Sequence, residues 1–177
     1  NKRVIVTAAP HQSGKDEYLM ILMILALDID VCYLSAKWTM RRIPIPFVKP
    51  KDIDNQGIPW PLGWLQEIVF RKFGAIPVDR KGNSGQYDSV VQELLKRDNF
   101  LLIITPEGRF DATRFRSSFL YLAKELDASV MPVQIDYEHD SLQFLESLNL
   151  DGSEEEVIQR LRFCFDGVKG RKSRFKA

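Results

Sequence analysis

The stretch RVIVTAAPHQSGKDEYLM, residues 3–20, decides the fold, and it divides into three parts. RVIVTAA (3–9) is continuous and rich in β-branched residues, the pattern of a parallel strand buried on both faces. Residues 14–28 are apolar nearly all round, the pattern of a buried helix. A strand leading directly into a helix is the repeating unit of α/β proteins. The junction between them, PHQSGKD (10–16), carries the chemistry, and it admits two readings.

Read from Ala9, the letters A-x-x-x-x-G-K end at Lys15 and imitate a nucleotide-binding P-loop. Such a loop needs several glycines to let backbone N–H groups cradle phosphates, and a Ser or Thr after the Lys to hold Mg²⁺. Here Gly14 stands alone, Pro10 removes an N–H, and Asp16 puts negative charge where the hydroxyl belongs. Read from His11, the same letters pair a histidine with Asp16. Five residues along a regular helix are ~500° apart, so these side chains meet only if His11 precedes the helix and Asp16 opens it. The carboxylate then orients the imidazole, whose other nitrogen can take a proton from a substrate hydroxyl.

Working outward, strand-like runs recur at 31–35, 75–79, 100–105 and 130–136. Helical runs fall at 62–73, at 85–98 with Tyr87, Val90, Val91, Leu94 and Leu95 on one face, and at 113–127 with Phe115, Phe119, Leu122, Ala123 and Leu126 together. A last helix is expected over 154–165, opened by the capping box Ser153-x-x-Glu156. The alternation predicts an α/β fold with a mixed, largely parallel sheet flanked by helices, as one domain over 1–166. Residues 43–63 interrupt it as a proline-rich, irregular excursion. Residues 167–177 form a basic tail that is either disordered or in contact with anionic lipid.

The length of 177 residues suits one domain, and a net charge of +1 argues against nucleic acid as a partner. Cys32 and Cys164 lack metal-ligand spacing, so no metal site is expected and a reducing compartment is. The longest apolar run, Tyr18 to Leu27, is shorter than the ~20 residues of a membrane helix, leaving a cytoplasmic protein that can lie on a membrane surface. The chain opens on Asn1 rather than Met, so residues upstream are expected to have been removed.

The other unusual residues follow strands, as His11 does. Arg80 ends the 75–79 run, and Pro106-Glu107-Gly108-Arg109 follows the 100–105 run. Carboxyl ends of parallel strands share one edge, where ligands bind. That edge would gather a base, an orienting acid and two guanidiniums suited to phosphate.

Four blocks in order, PHQSGKD (10–16), GAIPVDR (74–80), TPEGR (105–109) and VMPVQIDY (130–137), resemble the glycerolipid acyltransferase family, and within it the compact bacterial-type 1-acylglycerol-3-phosphate acyltransferases. The resemblance implies the glycerol-3-phosphate acyltransferase-like fold and a role in phospholipid biosynthesis. It implies acyl transfer from acyl-CoA or acyl carrier protein to the hydroxyl of a lysophosphatidate-like lipid, with no cofactor beyond that co-substrate. His11 would be the base and Asp16 its orienting acid. Arg80 and Arg109 would bind the acceptor phosphate, Glu107 and Gly108 would shape the turn, and Lys37 would lie near the head group. The family's third block reads P-E-G-T-R-S, and here the Thr is absent. Either one residue is deleted and Arg109 holds the arginine position, or Phe110 does. A thioesterase, with water as acceptor, and a non-catalytic module that binds lipid or a partner are the alternatives.

Several residues have plainer readings. Pro132 shapes a strand entry, Ser13 is a helix cap, and His139 is a solvated loop residue rather than a metal ligand. Arg41, Arg42, Arg71, Lys72 and Lys81 are surface charge or a positive field toward anionic substrate or lipid. Trp60 and Trp64 fit either core or a membrane-facing lip.

Overall fold

A largely apolar, β-branched sequence, with Thr7 buried within it, places the first strand between two others of its sheet. In the computed structural model, residues 2–11, 31–37, 40–43, 58–79, 85–107 and 114–170 are described. Their elements, in chain order, are β1 (Arg3–Ala9), β2 (Val31–Ala36), β3 (Arg42–Ile43), β4 (Ile58–Pro59), α1 (Gly63–Lys72), β5 (Ala75–Val78), α2 (Gly85–Leu95), β6 (Phe100–Ile104), α3 (Ser118–Leu126), β7 (Ser129–Asp136), β8 (Ser141–Phe144) and α4 (Glu154–Phe163). The helix expected over 14–28 lies outside the described residues. The chain forms two compact units, Asn1–Asp30 with Asp98–Ala177, and Val31–Arg97.

In the first unit β1 lies between β6 and β7 and runs parallel to both, with Val4 opposite Leu101 and Ile5 opposite Val130. Ile5, Val6, Ala8 and Ala9 are accordingly buried, as are all five residues of β6. Each large aliphatic chain enclosed this way contributes ~1.5–3 kcal/mol. Helix α3 packs against β1 and β7 through Phe119, Leu120, Leu122, Ala123 and Leu126.

That helix starts at Ser118, later than the sequence pattern indicates. Phe115 is ahead of it, its ring edge-on to Phe165 at 5.8 Å with Arg162 above it. The apolar spacing is genuine, but Phe115 packs against the far end of the chain rather than continuing the helical face. Helix α4 carries the expected capping box. Ser153 N–H donates to Glu156 Oε2 at 2.7 Å, and Ser153 Oγ accepts from Glu156 N–H.

Strand β8 was not legible, because SLQF is short, polar and mostly exposed. It pairs antiparallel with β7, from Asp136 opposite Ser141 to Val133 opposite Phe144. Pro132 is therefore inside β7, not at its entry. It marks the point where the β8 ladder stops, and its carbonyl accepts from Leu145 N–H at 3.0 Å.

In the second unit β2 and β5 are parallel, with Tyr33 opposite Ala75 and Ala36 opposite Val78. Helix α1 passes into β5 through Gly74, whose φ of +83° only glycine adopts without strain. A Cβ there would stand 2.0 Å from the Val31 carbonyl oxygen. Helix α2 buries Val90, Val91 and Leu94, whereas Leu95 is exposed at its end. The excursion over 43–63 is closed at its foot by β3 and β4, which pair antiparallel.

The fold is α/β with mixed, largely parallel strands, as the alternation predicts. Among the described residues no helix is long and apolar enough to cross a membrane.

Candidate active site

His11 follows β1 directly, after a cis Ala9–Pro10 peptide. Glu107 stands three residues beyond β6, the parallel neighbour of β1. Parallel pairing brings the two strand ends side by side, although the residues are 96 apart in sequence. There the His11 backbone N–H donates to Glu107 Oε2 at 3.0 Å. Both residues are buried, each with 8% of its surface exposed. A buried carboxylate needs donors, and the His11 amide is one. Glu107 thus fixes the main chain of the proposed base, a role beyond the turn-shaping one that the resemblance implies. No local spacing signals it; only the β1–β6 pairing does.

Beyond β6, Arg116 N–H donates to the Pro106 carbonyl at 2.8 Å.

Lys37 immediately follows β2, with its side chain exposed. Its backbone N–H donates to Val78 O at 2.8 Å, so it stands at the shared carboxyl end of β2 and β5. Asp16, Arg80, Gly108 and Arg109 lie outside the described residues.

His139 occupies the exposed turn between β7 and β8. Its Nδ1 is 2.8 Å from Asp136 Oδ2, while Asp136 Oδ1 accepts from Glu138 N–H at 2.8 Å. The hydrogen bond to Asp136 raises the imidazole above its ordinary value, and the same bond from His139 holds Asp136 below the usual carboxylate range. Among the described residues no group of three or more His, Cys, Asp or Glu could hold a metal ion.

The chain has two histidines, so its imidazole NMR titration is easily assigned. Asp136→Asn is expected to lower the His139 midpoint. A raised folded pKa stabilises the fold below the unfolded imidazole value, and that contribution disappears as pH rises through the folded value. The depressed Asp136 acts in the opposite sense, losing its contribution as pH falls through the carboxylate range. The turn is therefore tightest between the two, and full exposure keeps the effect small. An unmoved His139 midpoint in Asp136→Asn would remove the pair from the account.

Residues 60–136 match the protein-family model described as Acyltransferase. No curated protein matches the chain significantly. The matched span runs from just before α1 to the last residue of β7, so it contains Arg80, Glu107, Gly108 and Arg109. His11 and Asp16 precede it. The match supports acyl transfer in general terms: over residues 60–136 this chain is similar to the acyltransferase family.

Proposed function

We propose that this protein transfers a fatty acyl group from a thioester donor, acyl-CoA or acyl carrier protein, to the hydroxyl of a lysophosphatidate-like lipid at a membrane surface. The observation that carries the reading is the buried tether from the His11 backbone to Glu107, which joins the matched segment to the H-x4-D block outside it. His11 takes the proton of the acceptor hydroxyl. The oxygen attacks the thioester carbonyl, an ester C–O bond forms, and the C–S bond breaks as the thiolate leaves and is protonated. Asp16 stabilises the imidazolium, Glu107 and Gly108 shape the loop, and Arg80 and Arg109 hold the acceptor phosphate, with Lys37 near it. No further cofactor takes part.

Incubation with labelled acyl-CoA, with and without lysophosphatidic acid, tests this directly. Labelled phosphatidic acid supports transfer. Free fatty acid would make the protein a thioesterase, and neither product would leave a non-catalytic lipid- or partner-binding module.

The arginines make the test more specific. Charge-assisted bonds to phosphate are worth ~1.5–3 kcal/mol each, so Arg80→Ala and Arg109→Ala should each raise the acceptor KM about tenfold to a hundredfold. The donor KM should barely move. Should Arg80 alone matter, Phe110 holds the family's arginine position and the acceptor is not a phosphomonoester.

A further inference from the structure

Helix α1 is inside out. At ~100° per residue, its side chains fall into two arcs. Arg71, Trp64, Ile68, Lys72, Leu65 and Val69 occupy an arc roughly 160° wide, and all six are exposed. The four apolar ones are far from buried: Trp64 is 57% exposed, Ile68 53%, Leu65 43% and Val69 41%.

The opposite arc holds Gln66, Glu67 and Phe70, and its polar groups are tied down within this unit. Gln66 Oε1 accepts from Trp60 Nε1–H at 2.9 Å, and Gln66 Nε2 donates to Arg42 O at 3.2 Å. Glu67 receives two bonds from Arg71, at 3.0 and 2.9 Å, and an ion pair from Arg41. An ordinary surface helix hides its apolar stripe and shows its polar one. This helix does not: the part-buried hydrogen bonds of Gln66 are on the inner arc, while large apolar side chains are presented outward. Exposed Ile58, Leu62 and Phe73 extend the patch beyond both ends.

Charge identifies the occupant. Residues 40–43 and 58–73 carry Arg41, Arg42, Arg71 and Lys72 against the single carboxylate of Glu67. Lys72 lies within the apolar arc itself. A protein partner would have to bury that ammonium among apolar groups, and charged residues are depleted at interface cores. At a lipid surface the four-carbon stem stays among apolar groups while the ammonium reaches phosphate. Trp64 suits the same boundary.

The geometry points to the outer arc of α1 as an anionic-membrane docking surface, with Trp64, Leu65, Ile68 and Val69 entering the head-group region and Lys72 meeting lipid phosphates. This surface is separate from the chemistry proposed for His11, and its test needs no activity.

The full chain is floated with phosphatidylcholine vesicles, with and without phosphatidylglycerol. Binding to the mixed vesicles, with a blue shift of tryptophan emission, is expected. Leu65→Ser with Ile68→Ser should weaken it tenfold or more, because two exposed apolar chains no longer enter the lipid. Lys72→Gln should weaken it about fivefold on anionic vesicles only, as one cation near a charged surface is worth ~1 kcal/mol. Trp64→Phe should keep most binding while losing much of the blue shift. These positions are exposed, so a circular dichroism melt should stay unchanged. Unaltered vesicle binding by the double variant would overturn the proposal, as would no binding to anionic vesicles. A double variant that changes self-association in light scattering, but not lipid binding, would make the arc a contact between copies and overturn it equally.

Discussion

His11→Ala is expected to reduce acyl transfer by ~10²–10⁴-fold, the usual worth of a general base. The variant is informative because of how the residue is held. Glu107 accepts from the backbone N–H of residue 11, not from a ring nitrogen through that bond. Alanine keeps the N–H, so the tether survives while the imidazole is gone. The denaturation midpoint should change little and turnover should collapse. Glu107→Ala acts in the reverse order. It leaves the imidazole in place but strands a buried amide, so it should cost both stability and rate. Asp16→Asn should be severe in rate alone. Near wild-type turnover in His11→Ala would end the mechanism, whatever the family resemblance.

The largest stability effect is expected at Gly74. Any side chain there meets two penalties together, a backbone conformation at φ +83° and a Cβ 2.0 Å from the Val31 carbonyl oxygen. The obstacle is main chain of a paired strand, so it cannot rotate away. Gly74→Ala should lower stability by ~3 kcal/mol or more, beyond the range of ordinary surface changes. Gly152 provides the comparison. Its φ is +101°, but a Cβ there meets the Glu156 side-chain oxygen, which can move. Gly85, with open space around it, should tolerate alanine without loss. Urea midpoints for the three variants test this ordering. Equal costs at Gly74 and Gly152 would mean that the α1–β5 turn yields more easily than its geometry implies.

The contrast between these two sites explains what the sequence can reveal. Gly74 opens the second block because the chain must turn from α1 into β5 beside Val31, and a glycine before a strand is a readable sign of such a turn. The strand at 100–104 was legible because burial of every residue leaves continuous apolar sequence, and those at 3–9 and 129–136 because apolar residues predominate in them. The β8 strand was not, since its partner β7 supplies the pairing and its own residues face solvent. Phe115 misled by a different route. Helical spacing records which side chains are apolar, not whether the backbone between them is helical. At the site, His11 stood out because it directly follows a strand-like run, ahead of a run with helical pattern. The Glu107 tether did not, because its partner is a backbone amide, which every residue but proline possesses.

The place of β1 also governs how the chain can assemble. It leaves the ribosome before β6 and β7, yet its ladders are to both, with Val4 opposite Leu101 on one side and Ser129 on the other. Until those later segments leave the ribosome, this largely apolar strand has neither of its ladder partners. Contacts so distant in sequence are slow to form, because loop closure must precede their reward. An unpaired apolar strand is meanwhile open to other chains. β1 thus pairs only after both partners have been made, and His11, which follows it, is set in place only then.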